Sequence, residues 1–226
     1  MQSMTGQELL LFYMVCDESG SMGPNGGIQA INTALPELHA TLAADPLVVD
    51  KSRLAIIAFS DNAEVILPLS KVTDVSDMPG VQEAGVTNYG QAFRLLRTTI
   101  EHDVESLKQQ GFRVYRPCVF FMSDGEPSDQ WEPEYQNLMN HRYHPGIVAF
   151  GVDGAEPAIL ARIATLKCYV GRDTVGAGRA LASVMSSIGN SIISSTSNAH
   201  DGPANIDLPP VIDGFDTVPL MPLDTL

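Results

Sequence analysis

Basic residues are scarce in this chain. Lys and Arg number 13 in 226 residues against 27 Asp and Glu, a formal charge of −14, and the first fifty residues contain neither Lys nor Arg. Such a balance repels phosphate backbones and anionic bilayers, which argues against nucleic-acid and membrane partners. Cysteine is nearly absent too: Cys16, Cys118 and Cys168 are odd in number and each lies in an apolar run. They read as buried free thiols rather than a disulfide framework, and they point to a reducing, cytoplasmic setting. No apolar run is long enough to span a bilayer, and the first such run has no basic residue ahead of it, so it is expected to be a strand rather than an export signal. Internal repeats, low-complexity segments and a Gly-x-x-x-x-Gly-Lys phosphate loop are all missing.

What is present is a succession of short apolar runs and helical stripes, with 44% hydrophobic residues, ample for a core. Residues 9–16 (LLLFYMVC), 53–59 (RLAIIAF), 117–122 (PCVFFM, within a strand predicted over 114–122) and 146–152 (GIVAFGV) are apolar runs without alternation, as in parallel strands covered on both faces. A shorter strand is predicted at 167–171, and 63–69, which contains Pro68, fits an antiparallel edge strand. Between them, Ile28, Ile31, Leu35, Leu38 and Leu42 share one helix face, with Pro36 off that stripe and expected to bend the helix. Further helices are predicted from Tyr89 to before Gly111, over 132–141 and 155–166, and through Leu181, Val184, Ile188 and Ile192. The fold class is therefore α/β: a doubly wound, mostly parallel central sheet with one antiparallel edge strand and helices on both faces. Residues 1–196 form the domain. Residues 197–226 are an acidic, Pro-containing tail, for which disorder and docking through Val211, Ile212, Phe215 and Val218 both stand open.

The first strand stops at Asp17, Glu18, Ser19, Gly20 and Ser21, and the 114–122 run stops at Ser123, Asp124 and Gly125. Ligands of open α/β sheets bind outside the carboxyl ends of strands, and these oxygens are hard donors suited to Mg²⁺ or Mn²⁺. Asp-x-Ser-x-Ser alone reads equally as a turn and helix cap. The second acid-bearing strand end, and a Gly85 to Tyr89 loop that presents Thr87 ahead of a helix, make three turns on one rim.

Asp17, Ser19, Ser21, then Thr87, then Ser123-Asp124-Gly125-Glu126-Pro127, in that order, resemble the metal-ion-dependent adhesion site of von Willebrand factor type A domains. The likeness covers about residues 8–195 and is nearest to small stand-alone bacterial members of the TerY type, associated with tellurium-resistance operons. It implies a Rossmann-like fold and a divalent cation, Mg²⁺ with Mn²⁺ or Ca²⁺ as substitutes. Ser19, Ser21 and Thr87 would offer hydroxyls, while Asp17 and Asp124 would act largely through waters. It also implies a protein partner that presents Asp or Glu to the cation, a shift of the last helix on binding, and a stress or phospho-signalling system with a protein kinase and a phosphatase. Val86 stands where the family often has a second glycine, and it removes no ligand.

The rival reading is an enzyme, a Mg²⁺-dependent phosphatase-like hydrolase. Haloacid-dehalogenase-type phosphatases need a second Asp two residues after the first, where this chain has Ser19, and neither Ser19 nor Ser21 sits in a Gly-x-Ser-x-Gly elbow. His39, His102 and His200 are expected on helix surfaces or the tail, and His141 and His144 in a connecting loop, so no histidine base is predicted. Glu126 and Asp129 read as extra ligands or as rim-loop and capping residues. Trp131 reads as buried, with a partner contact as the alternative.

Overall fold

The computed structural model describes residues 7–24, 26–124, 127–152, 155–172, 177–198 and 206–221, with no side-chain description for 177–180. Gly125, Glu126, Asp153 and His200 lie outside the described residues. The central element is β1 (Glu8–Asp17), whose side chains divide by parity. Leu10, Phe12, Met14 and Cys16 enter one core, and Leu9, Leu11, Tyr13 and Val15 enter the other. Both faces being covered is the reason the run is apolar throughout.

Parallel partners flank β1: β2 (Ser52–Phe59) on one side, β4 (Arg113–Val114) and β5 (Cys118–Ser123) on the other. Beyond β2 lies antiparallel β3 (Ala63–Ser70), and beyond β5 come parallel β6 (Gly146–Gly151) and β7 (Lys167–Gly171). The order is β3-β2-β1-β5-β6-β7, extended by a last strand, β8 (Phe215–Val218), antiparallel to β7. Helices α1 (Gly27–Ala43) and α6 (Ala177–Asn198) cover one face, and α3 (Tyr89–Gln109), α4 (Glu132–Met139) and α5 (Pro157–Ile163) the other. The predicted α/β sheet with an antiparallel edge at β3 is thus present.

Several details differ from the sequence reading. The strand predicted over 114–122 is two pieces, β4 and β5, because Pro117 has no N–H to give a ladder and restrains Arg116 before it. A short helix, α2 (Pro46–Lys51), was not predicted; Asp45 caps it by accepting from the Leu47 and Val48 amides at 2.9 and 3.1 Å. The β2–β3 register shifts twice, pairing Leu54 with Ser70 but Ile56 with Leu67, so the bulge falls where Pro68 could not donate. α1 runs unbroken through Pro36, which is exposed. Of the two outcomes open for the tail, residues 206–221 dock: Ile212 and Phe215 join the α1/α6 core, and β8 adds a second antiparallel strand.

Cys16, Cys118 and Cys168 are free and buried. Burial pushes the Cys16 and Cys168 thiols up to about 12, and Cys118 higher still, so none carries thiolate chemistry. Among the described residues no helix is long and apolar enough to cross a membrane.

Candidate metal site

β1 ends at Asp17 and β5 at Ser123, with Asp124 next in the chain. The two strands are neighbours, Cys16 opposite Met122, where the chain's progress across the sheet reverses from the β2 side to the β5 side. In open α/β sheets this reversal leaves a crevice at the carboxyl ends of the strands.

Asp17 is fully buried there. Its Oδ1 accepts from the Ser19 amide at 2.9 Å and its Oδ2 from the Ser123 hydroxyl at 2.5 Å, while the Tyr89 hydroxyl donates to Ser123 Oγ at 2.8 Å. Ser19 and Ser21 Oγ lie 3.1 Å apart, and Ser21 Oγ donates to Asp124 Oδ1 at 2.9 Å. A continuous run of oxygens therefore links the end of β1 to the end of β5. Ser21 is its exposed member, with Ser19 and Asp124 buried. Burial pushes the Asp17 carboxyl above the usual carboxylate range, and hydrogen bonds from Ser123 and Ser19 pull it partly back. No Lys or Arg occurs in residues 17–30, 72–93 or 117–131 to offset that charge. A buried carboxylate met by hydroxyls and an amide is a group that a cation stabilises.

The third turn is tied to the other two through its backbone. Gly85, at φ 51°, gives its carbonyl to the Gly20 amide at 3.1 Å, and the Ala84 amide donates to Glu18 O at 2.8 Å. A Cβ on Gly85 would stand 2.3 Å from the Asp61 carboxylate, which itself accepts from the Val86 amide at 2.9 Å. The backbone hand favours glycine here, and any side chain would also have to displace the Asp61 carboxylate. Thr87 O accepts from the Ser128 amide at 2.8 Å and the Ser128 hydroxyl at 2.9 Å, and the Asn88 amide donates to Ser60 O at 3.0 Å. So Asp17, Ser19, Ser21 and Asp124 share one hydrogen-bonded network. Thr87, 7% exposed, is linked to them through the backbone of its turn.

Among the described residues no three or more His, Cys, Asp or Glu converge on a metal position. The donor set on offer is instead hydroxyl-rich and entirely oxygen, which fits a hard divalent cation. Sequence reasoning missed Ser123 as a positioning residue, although it stands within the quoted motif; only the fold brings it to Asp17 and Tyr89. Asp129 proves to be a cap: Oδ1 accepts from the Tyr89 amide at 3.0 Å and Oδ2 from the Gly90 amide at 2.8 Å. Asp129→Ala is expected to cost about 1–2 kcal/mol in urea denaturation, since the Asn88 cap on Gln91 remains. Trp131 is 3% exposed, packed among Tyr89, Phe93 and Tyr135 with the Arg162 guanidinium over its ring, so it is core. His141 faces Glu101 and His144 faces Arg116, both away from the site residues.

The sequence profile of the von Willebrand factor type A domain matches residues 12–126, from within β1 to just past Asp124. The chain belongs to this family. Von Willebrand A domains are a metal-dependent protein-interaction fold and in general not enzymes. Among solved structures, a von Willebrand factor type A protein from Catenulispora acidiphila is similar at 20% identity and a TM-score of 0.58, covering 83% of this chain and 43% of that one. Proximal thread matrix protein 1 from the mussel byssus, with a zinc-occupied adhesion motif, gives 16% identity and 0.58, covering 83% and 48%. The pilus adhesin SpaC from Lactobacillus rhamnosus GG, in an open conformation, gives 13% and 0.62, covering 85% and 30%. At these identities the likeness concerns the fold, and this von Willebrand A chain spans less than half of each of those chains. No curated protein matches its sequence.

Proposed function

We propose that this von Willebrand A domain is a cation-dependent protein-interaction module. Asp17, Ser19, Ser21, Thr87 and Asp124 would hold Mg²⁺, or Mn²⁺ or Ca²⁺ in its place, and a partner's Asp or Glu would complete the coordination. The observation that carries the reading is the oxygen run Ser19–Ser21–Asp124 beside buried Asp17, at the strand-order reversal. When bound, the cation supplies a Lewis-acidic centre with appetite for one more oxygen anion, because neutral hydroxyls donate less electron density than carboxylates. Ser123 and the Ser19 amide hold Asp17 in one orientation, and burial of Ser19 and Thr87 fixes their places before a ligand arrives. Exposed Ser21 leaves the approach open.

Residues 1–196 are the working domain, and 197–226 an appended segment whose docked part covers the β7 edge. The setting we propose is the cytoplasm of a bacterium, in a stress, tellurite-resistance or phospho-signalling system where a kinase and a phosphatase are candidate partners. The TerY-like resemblance and three buried thiols support it. The test is capture of partners from the native host with Mg²⁺, with EDTA, and with Asp17→Asn. Partners retained only in the first arm support the reading. Equal capture in all three, or turnover of a phosphate ester by the purified chain, would overturn it.

A further inference from the structure

We propose that the rim of this site selects a partner whose coordinating Asp or Glu is flanked by Lys or Arg and accompanied by an apolar side chain. This rests on the interaction reading above and specifies the surroundings of the carboxylate. Two observations carry it, one of charge and one of shape.

Basic residues mark the amino ends of the strands and are absent from the four turns around the site; Arg172, just past the carboxyl end of β7, is paired with Asp216. Arg53, Arg113, Arg116, Arg142 and Lys167 stand at or just before the amino ends of β2, β4, β5, β6 and β7. At the opposite end, residues 17–24, 59–63, 82–88 and 124–131 contain no Lys or Arg. The described acids there are Asp17, Glu18, Asp61, Glu83, Asp124 and Asp129, each in contact with the site's own turns. Glu18 follows Asp17 and accepts from the Gln82 amide at 3.1 Å. Asp61 holds the Val86 amide, Asp129 caps Tyr89 and Gly90, and the Glu83 carboxylate lies against Gly23, where a Cβ would meet it at 1.9 Å. A divalent cation offsets two of these six charges and leaves four. A lone carboxylate entering within a Debye length, roughly 10 Å at 0.1 M salt, is attracted by the cation and repelled by its collar. Basic neighbours on the partner turn that repulsion into attraction and speed encounter.

The shape observation is Val86. Leu47, Val86, Leu166, Val211, Leu220 and Met221 are the exposed large hydrophobic residues among those described, and Val86, 54% exposed beside Thr87, is the one that lies on this rim. Its turn is pinned on both sides by the Gly20–Gly85, Asp61–Val86 and Ser60–Asn88 hydrogen bonds, so it is a fixed apolar knob. A rigid apolar contact next to a desolvated polar one is the arrangement that anchors interfaces.

The probes are short synthetic peptides titrated by fluorescence anisotropy into the full chain with Mg²⁺. One has a central Asp with Lys and Leu neighbours, a second has Ala in place of Lys, and a third has Asn in place of Asp. The Lys-flanked Asp peptide is expected to bind roughly tenfold tighter than the Ala-flanked one at low salt, with the gap narrowing as salt rises. Glu83→Gln should narrow that gap, and Val86→Gly should weaken Asp peptides several-fold without altering their salt dependence. Equal, metal-dependent binding of the first two peptides would overturn the charge selection and leave the cation–carboxylate reading intact. Unchanged affinity in Val86→Gly would overturn the apolar contact. Binding of the Asn peptide as tightly as its Asp counterpart, or binding insensitive to EDTA, would instead overturn the coordination reading itself. Absence of binding by all three at millimolar concentration would overturn both.

Discussion

Mg²⁺ is expected to raise the melting temperature of the wild-type chain, and replacing Asp17 by Asn is expected to abolish that rise. A ligand bound only to the folded state, at a hundredfold excess over its Kd, adds about 2.7 kcal/mol. For a chain of this size that corresponds to a Tm shift of roughly 5–10 °C. Asn keeps the volume of Asp17 but removes the charge that burial opposes, so the metal-free variant should melt at or above the metal-free wild type. The two-sided expectation separates roles. A purely structural Asp17, valued for its bonds to Ser19 and Ser123, would lower the metal-free Tm on substitution and leave the response to Mg²⁺ unchanged. Differential scanning calorimetry of both proteins, with Mg²⁺ and with EDTA, decides between them.

The candidate site was legible in sequence to the extent that it depends on strand ends. Residues 9–16 have no alternation because both faces of β1 are covered, and that same pattern places Asp17 at the sheet edge. The turns carrying Asp17, Thr87 and Asp124 could also be placed, since each follows or precedes an element with a strong apolar pattern, β1, α3 or β5. What sequence could not give were the cross-links. Ser123 bridging Asp17 and Tyr89, Asp61 holding Val86, and Asp129 capping α3 from forty residues away are products of juxtaposition, with no local spacing to announce them. The same holds for β8. Four residues are too few for a period, and Phe215–Val218 becomes a strand only because β7 offers it an edge. Asp45-Pro46, by contrast, was a readable helix start, and α2 was missed because its apolar content is too short to show a stripe.

Phe215→Ala is the substitution expected to cost most outside the site, about 3–5 kcal/mol in denaturant unfolding if the whole chain unfolds together. Phe215 is 2% exposed and Ile212 is 3% exposed, both within the α1/α6 core. The polar contacts of the segment are weaker candidates for what holds it. The Arg172–Asp216 pair is solvent-exposed and contributes little, whereas the Asp207 amide to Ser195, Lys167 and Tyr169 to the Pro209 carbonyl, and Met221 to Ala161 give register more than energy. If β8 can leave the sheet while α6 stays packed, the loss is capped at the free energy of that local opening and falls below the full value. Hydrogen exchange tells the two apart. In the wild type the amides of β8 that bond to β7 should be protected; in Phe215→Ala they should exchange fast, with α6 amides through Ile188 and Ile192 either retained or lost alongside them. Retention would make residues 206–221 a separable strap over a self-sufficient domain. Loss would make the strap part of what keeps α6 on the sheet, and through α1 and Met22 in the same core it would then bear on the turn that carries Ser19 and Ser21. Unprotected β8 amides in the wild type, with a change below about 1 kcal/mol on substitution, would refute the docking itself.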